Sequence, residues 1–260
     1  MLSSSSLGID TALACAAAQE ARASAFLEPP GEGDIITATE FSGSTRAFDR
    51  DGKLIPIPAY DKFELASYVE YGLTDRLTLI AQPFFETAHQ DSTAVTTPGT
   101  DIGARFGLAE FGPTVLSIQG VLHIPFDSGQ LPQAEFDEDD VFAGDLRLLL
   151  GHAFIGGAPG FLDLQGGYRW QAEDVPNEWH ADVTAGIRPQ PRLLIMLQTF
   201  ATLADRSTAV YARYSWLKLQ ESLVYDIWRN WSLQGGFFET VAGMNAGREL
   251  GPMLAVWYRF

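Results

Sequence analysis

The chain has 260 residues, of which 46% are hydrophobic and 19% are charged, and its net charge is −16. An acidic chain repels phosphate backbones, so a nucleic-acid partner is disfavoured, and the apolar content is too high for a disordered protein. The longest segment without a charged residue, 111–126, is shorter than the ~20 apolar residues that a membrane-spanning helix needs. Two classes are left, an all-β soluble domain and a membrane β-barrel.

The first 23 residues predict a signal peptide. Small apolar residues run from Leu7 to Ala18, interrupted by Asp10 and Thr11, and Ala21-Arg22-Ala23 fits the small-x-small rule for cleavage before Ser24. An ordinary N-terminal tail is the alternative. The only cysteine, Cys15, lies in this segment, so the mature chain would contain no disulfide and no cysteine-based zinc site.

Residues 24–33 are expected to form a periplasmic N-terminal segment. Pro29-Pro30 and Gly31 permit a bend, so this segment is also a candidate plug for a barrel lumen.

From residue 34 onward the dominant hydrophobic period is two, which is typical of β-strands. In 179–188, for example, Trp179, Ala181 and Val183 alternate with His180, Asp182 and Thr184. The pattern predicts about twelve strands, at 34–45, 60–71, 77–88, 101–110, 114–124, 141–151, 161–171, 179–188, 192–203, 212–227, 231–241 and 249–260.

The connections alternate in length. Tight turns at 72–76, 111–113, 189–191 and 228–230 lie between mostly longer loops at 46–59, 89–100, 125–140, 172–178, 204–211 and 242–248. Short periplasmic turns and longer extracellular loops are typical of outer-membrane barrels. The predicted fold is therefore all-β, a single antiparallel transmembrane β-barrel of about twelve strands over residues 34–260.

A soluble β-sandwich would show the same alternation, so further features are needed to choose the barrel. Aromatic residues gather near the strand ends, as in interfacial girdles. The chain also ends on Phe260, with Tyr258 two residues before it, which resembles the signal read by the barrel-assembly machinery of Gram-negative bacteria. We expect the outer membrane as location, and membrane lipid, the assembly machinery, periplasmic chaperones and a small solute as partners.

Three stretches resemble a known group of proteins. Residues 26–33 (Phe-Leu-Glu-Pro-Pro-Gly-Glu-Gly), 48–52 (Phe-Asp-Arg-Asp-Gly) and 68–77 (Tyr-Val-Glu-Tyr-Gly-Leu-Thr-Asp-Arg-Leu) are similar to small proteobacterial outer-membrane barrels placed with the phenol meta-cleavage-pathway transporter family. The specific resemblance covers roughly residues 26–88. It implies transport, of an aromatic or other apolar compound, and it carries over no catalytic residue.

If the apolar face of each strand contacts lipid, the other face lines the lumen. That assignment supports two interpretations, a structural ion-pair network that fills a narrow barrel, or a pore whose charged walls select a small polar or zwitterionic solute. The candidate lumen-lining residues are Lys62, Glu64, Arg105, Asp145, Arg147, Asp163, Arg169, His180, Asp182, Arg188, Lys218 and Asp226.

The expected function is passive or facilitated passage of a small solute. A rival hypothesis is a non-conducting structural or surface-interaction barrel with a plugged lumen, and a lesser one is a barrel hydrolase. An enzyme is not expected, because the His-x-Ser pattern of outer-membrane phospholipases is absent and His180 and Asp182 are expected to form a structural pair.

No cofactor and no metal is expected. The acidic loop 135–140 could bind Ca²⁺, but its spacing is not that of an EF-hand and a solvated loop tip is favoured.

Overall fold

The computed structural model describes residues 25–90, 93–126, 141–154, 156–209 and 211–260. The predicted signal peptide 1–23, with Cys15, and the acidic loop 135–140 lie outside the described residues. The described strands are β1 (Gly33–Phe48), β2 (Leu54–Thr74), β3 (Leu77–Gln90), β4 (Thr93–Phe111), β5 (Thr114–Pro125), β6 (Ala143–Phe154), β7 (Gly160–Gln171), β8 (Glu178–Gln190), β9 (Leu193–Ala204), β10 (Ser215–Trp228), β11 (Trp231–Met244), β12 (Ala246–Gly247) and β13 (Leu250–Arg259).

The twelve long strands in these ranges form one closed antiparallel sheet. Each strand pairs with its neighbours in sequence, and β1 closes the barrel by pairing with both β2 and β13. The two-residue strand β12 pairs only with the outer end of β1. The predicted fold class is therefore confirmed. In the described part of the chain, no helix is long and apolar enough to cross a membrane.

The strand register separates an outer and an inner face. In β13, Leu254 and Val256 point outward with exposed fractions of 65% and 40%, whereas Met253 and Trp257, on either side of this pair, are buried at 1% each. The outer face forms an apolar wall, which is what lipid contact requires. The inner face is not uniformly polar, because a buried apolar cluster that includes Phe161, Leu194 and Trp257 lies on it.

Three predicted loops are mostly strand, and the shortest, 242–248, is divided between the end of β11 and β12. The segment predicted as loop 46–59 pairs across the end of the β1–β2 hairpin, and residues 93–100 within the predicted loop 89–100 pair with β3. The strands of these hairpins stay paired beyond the apolar wall. Their residues there include several threonines, which are compatible with a strand in water but resemble a loop in the sequence. A five-residue turn closes β1–β2, and the Asp49 side chain accepts the backbone N–H groups of Asp51 and Lys53.

Candidate functional site

The register places all twelve candidate lumen residues on the inner face of the barrel. Arg147, for instance, is level with Gln119 of β5 and Gly167 of β7, and these positions share its face. Their role, as a solute path or as a structural network, stays a prediction. The set is Lys62, Glu64, Arg105, Asp145, Arg147, Asp163, Arg169, His180, Asp182, Arg188, Lys218 and Asp226.

Arg105 is the centre of a buried polar cluster in the lumen. Its side chain is fully buried, and its guanidinium donates to Glu70 Oε1 at 2.5 Å and to Gln119 Oε1 at 3.0 and 3.1 Å. It also donates to the Tyr68 hydroxyl at 3.1 Å and to the backbone carbonyl of Phe26 at 2.8 Å. Burial of the Arg105 and Glu70 charges costs desolvation free energy. The hydrogen bonds of the guanidinium to several acceptors offset much of that cost.

A second cluster lies nearer the extracellular end. Arg147 bridges two acids on different strands, with Nε 2.8 Å from Asp145 and Nη1 2.5 Å from Asp182. Arg169 lines the space beside it.

Between the two clusters is a cavity of about 190 Å³, which we call the central cavity. It is large enough to hold several water molecules. Its wall combines both charge signs with an apolar side, and is formed by Tyr68, Ile80, Gln82, Asp101, Gln119, Val121, His123, Asp145, Arg147 and Arg169.

Three more lumen cations pair with carboxylates, and one of these pairs, Lys62 with Glu86, lies between neighbouring strands. These contacts lie outside the central cavity, so they support the wall. The pairs are Lys62 with Glu86 at 2.7 Å, Lys218 with Glu249 at 3.4 Å, and Arg188 with Asp226 at 3.1 Å. Glu64 shares the face of the first pair, level with Glu86.

The histidines have structural partners. The expected pairing of His180 with Asp182 is wrong, because His180 Nε2 lies 3.1 Å from Glu178 and Asp182 pairs with Arg147 instead. Glu178 and Asp182 both lie two residues from His180 on β8, and the shear of the barrel brings Arg147 of β6 to Asp182, so the imidazole contacts Glu178. His180 Nδ1 also lies 3.3 Å from Thr202 Oγ1, and the other three histidines contact Asp61 (His89), Asp101 (His123) and Thr114 (His152). None of these four contacts uses a serine hydroxyl.

Residues 25–28 lie inside the barrel and contact its inner wall largely through their backbone, whereas Pro30, Gly31 and Glu32 are exposed at the periplasmic end. The N–H of Ala25 donates to buried Asp163 at 2.5 Å, and its carbonyl accepts from Ser117 Oγ at 2.9 Å. The N–H of Glu28 donates to Thr78 Oγ1 at 3.0 Å.

Two side chains of the same segment fit recesses made by wall glycines. A Cβ atom at Gly151 would lie 2.7 Å from the Phe26 ring, and one at Gly107 would lie 2.6 Å from the Leu27 side chain. A larger residue at either position would therefore displace the segment unless its side chain moved.

Charge alone did not single out every polar residue of the lumen. Tyr68, Gln119, Ser117 and Thr78 are neutral and hold either Arg105 or the N-terminal segment. The same period-two rule, applied to neutral polar residues, would have placed them on the inner face.

No protein-family model matches the sequence, and no curated protein matches it. Solved structures are similar, among them an outer-membrane channel from Pseudomonas putida F1, with a TM-score of 0.69 and 16% identity over 92% of this chain and 99% of that one. The NanC porin is similar over 85% of this chain and 98% of its own, with a TM-score of 0.56 and 10% identity. The KdgM porin, solved in complex with disordered oligogalacturonate, is similar over 87% and 99%, with a TM-score of 0.51 and 11% identity.

This chain has the fold of an outer-membrane β-barrel. The predicted likeness to small proteobacterial outer-membrane barrels is confirmed at the level of the fold. The apolar outer wall is what contact with membrane lipid requires, and the predicted location in the outer membrane agrees with both. Identities this low establish the fold and not the solute.

Proposed function

We propose that the barrel passes a small charged organic solute through its lumen, past the N-terminal segment. The observation that carries this proposal is the central cavity, where Arg147 and Arg169 face Asp101 and Asp145. Charged walls of both signs select a small polar or zwitterionic solute by pairing with each of its ends.

The solute has an apolar body as well as a charged end. Tyr68, Ile80 and Val121 form an apolar side of the same cavity. An aromatic carboxylate is one compound of this kind, and its ring would agree with what the family resemblance implies.

Single-channel conductance of the refolded chain that starts at Ser24, in a planar bilayer, tests the proposal. We expect discrete steps whose ion preference shifts toward cations in Arg169→Glu, because the change adds an acid to the cavity wall. Arg76→Glu, at an exposed periplasmic turn, is the matched control and should leave the preference unchanged. Conducting steps with the same preference in both variants would place the constriction elsewhere.

A non-conducting barrel is the second candidate. The contacts of Ala25, Phe26 and Glu28 with the inner wall favour it, since a seated segment narrows the lumen. On this proposal residues 1–23 are removed as a signal peptide and residues 24–33 act as a plug. A heat-modifiable, folded barrel that stays silent in the bilayer would support this candidate over a channel.

Phe260 and Tyr258 serve, on the same proposal, as the assembly signal. In the folded barrel their rings stack within 6.2 Å of each other, and the backbone of Phe260 pairs with Gly33 at the closure of the sheet. Deletion of Phe260 should lower the amount of barrel assembled in the membrane, measured as the heat-modifiable band on a gel. Unchanged assembly would refute this role.

A further inference from the structure

A second cavity, of about 390 Å³, lies where the outer ends of β1, β2 and β13 meet. Inner-face residues Ser44 and Tyr60 form its back, and the rest of its lining lies on the outer face or at the rim. We call it the rim cavity, and define it by Gly43, Thr45, Arg46, Ala59, Arg248 and Leu250.

The rim cavity exists because the wall is irregular there. The pairing of β1 with β2 shifts register between Ser44 and Arg46, which is a β-bulge. On the other side, the β1–β13 ladder ends at the pair Gly43–Leu250. Bulges open a barrel wall locally and re-aim side chains.

Two guanidinium groups line this cavity. Arg248 donates through Nε to Glu239 Oε1 at 3.0 Å, and a second donor of the same group reaches that oxygen, so the side chain is held in place. Arg46 is exposed, and in the described part of the chain its guanidinium contacts no carboxylate. A chain of net charge −16 thus places an unpaired cation beside a held one.

The height of the cavity suits a lipid headgroup. β1 begins at Gly33, at the periplasmic end of the barrel, and Gly43 is ten residues further along the strand. At ~3.3 Å per residue and a tilt of ~40°, this is roughly 25 Å, the height of the apolar band of a barrel. The two arginines lie just above that level, and Leu250 faces lipid just below it.

We propose that the rim cavity binds a phosphate group carried by a glycolipid of the outer leaflet. A guanidinium offers a fork of donors that matches phosphate oxygens, and two of them can share one tetrahedral group. The apolar side of the cavity, at Leu250 and Ala59, receives the adjoining acyl chain. Free phosphate has the same oxyanion but gains nothing from that apolar side.

Native mass spectrometry of the full chain, refolded in detergent, tests this proposal. The probes are bisphosphorylated lipid A, dephosphorylated lipid A and inorganic phosphate. We expect bisphosphorylated lipid A to bind at least about tenfold more tightly than the dephosphorylated form. The double variant Arg46→Gln/Arg248→Gln should lose that difference, and Arg76→Gln, at a periplasmic turn, should keep it.

Arg46→Gln alone keeps the test valid if the double variant fails to fold, since this side chain is exposed and should weaken binding about threefold or more. Equal binding of the two lipid A forms, or wild-type binding by the folded Arg46→Gln variant, would overturn the proposal. Binding of inorganic phosphate as tight as that of the phosphorylated lipid would assign the site to free phosphate and overturn the lipid assignment.

Discussion

Replacement of Phe26 by alanine should loosen the N-terminal segment in the lumen. The Phe26 ring fits the recess at Gly151 and packs against the buried apolar cluster of the inner wall. Full burial of a phenylalanine side chain is worth up to ~3 kcal/mol, so the partly buried Phe26 should contribute ~1–2 kcal/mol, and every 1.4 kcal/mol is a factor of ten in an equilibrium. The ratio of released to seated segment should therefore rise roughly 5- to 30-fold.

Single-channel recording measures this change directly. In Phe26→Ala we expect a larger conductance state, or a longer time spent in it, than in the parent chain. Phe63→Ala is the matched control, because the same ring is removed from the lipid-facing wall and the lumen is untouched. Gly151→Leu approaches the same contact from the wall side and should resemble Phe26→Ala. Recordings of Phe26→Ala and Gly151→Leu that match the parent would show that the segment does not limit the current.

Three further predictions concern single carboxylates and their partners. Burial, together with the nearby Asp34 and Glu70, raises the pKa of Glu28 to about 8. The protonated carboxyl therefore favours the seated segment fully below the ordinary pKa of a glutamate, and this contribution is lost as the pH rises through 8. The large conductance state should become more populated from pH 5 to 9, and the increase should be smaller in Glu28→Gln. Arg105→Met leaves the Glu70 carboxylate buried without its cation. It should lower the unfolding free energy by about 3–5 kcal/mol, measured by urea titration in lipid vesicles. A loss below about 1 kcal/mol would contradict the ion-pair account. Glu221 points outward between Leu197 and Phe237, where its charge faces lipid. Because a charge on the lipid face is destabilising, Glu221→Leu should raise the unfolding free energy by about 1–2 kcal/mol in the same titration. A decrease would mean that this carboxylate has a partner in the membrane.

Hydrophobic alternation predicted the strands and the face on which each charged residue lies, and the aromatic strand ends and the terminal Phe260 favoured a barrel over a sandwich. Parity along a strand fixes the face, and a ladder of antiparallel pairs keeps that parity from one strand to the next. Arg147 and Asp182 could thus be placed on the inner face without a structure. Their contact could not, because it joins β6 to β8 across an intervening strand and depends on the stagger of the sheet.

Hydrophobic alternation could not predict where the hairpins end or which path the N-terminal segment follows. Residues 93–100 are rich in threonine and carry no apolar alternation, so only their pairing with β3 shows that they are strand. Pro29-Pro30 and Gly31 indicated that a bend was permitted, but not where it would lead. The recesses at Gly107 and Gly151 are defined only once the opposite wall is in place.

The inner face also reconciles a charged lumen with a resemblance that implies apolar cargo. Its surface is divided, with Arg105 and Asp163 on one part and the apolar cluster around Leu194 and Trp257 on another. The N-terminal segment contacts both parts, since Ala25 donates to Asp163 while Phe26 packs on the apolar cluster. Its release would therefore expose a carboxylate, a guanidinium and an apolar surface together. A solute with a charged end and an apolar body could replace all these contacts, whereas an inorganic ion could replace only the polar ones. The larger conductance state in Phe26→Ala should accordingly be blocked by an aromatic carboxylate such as benzoate, and not by chloride at the same concentration.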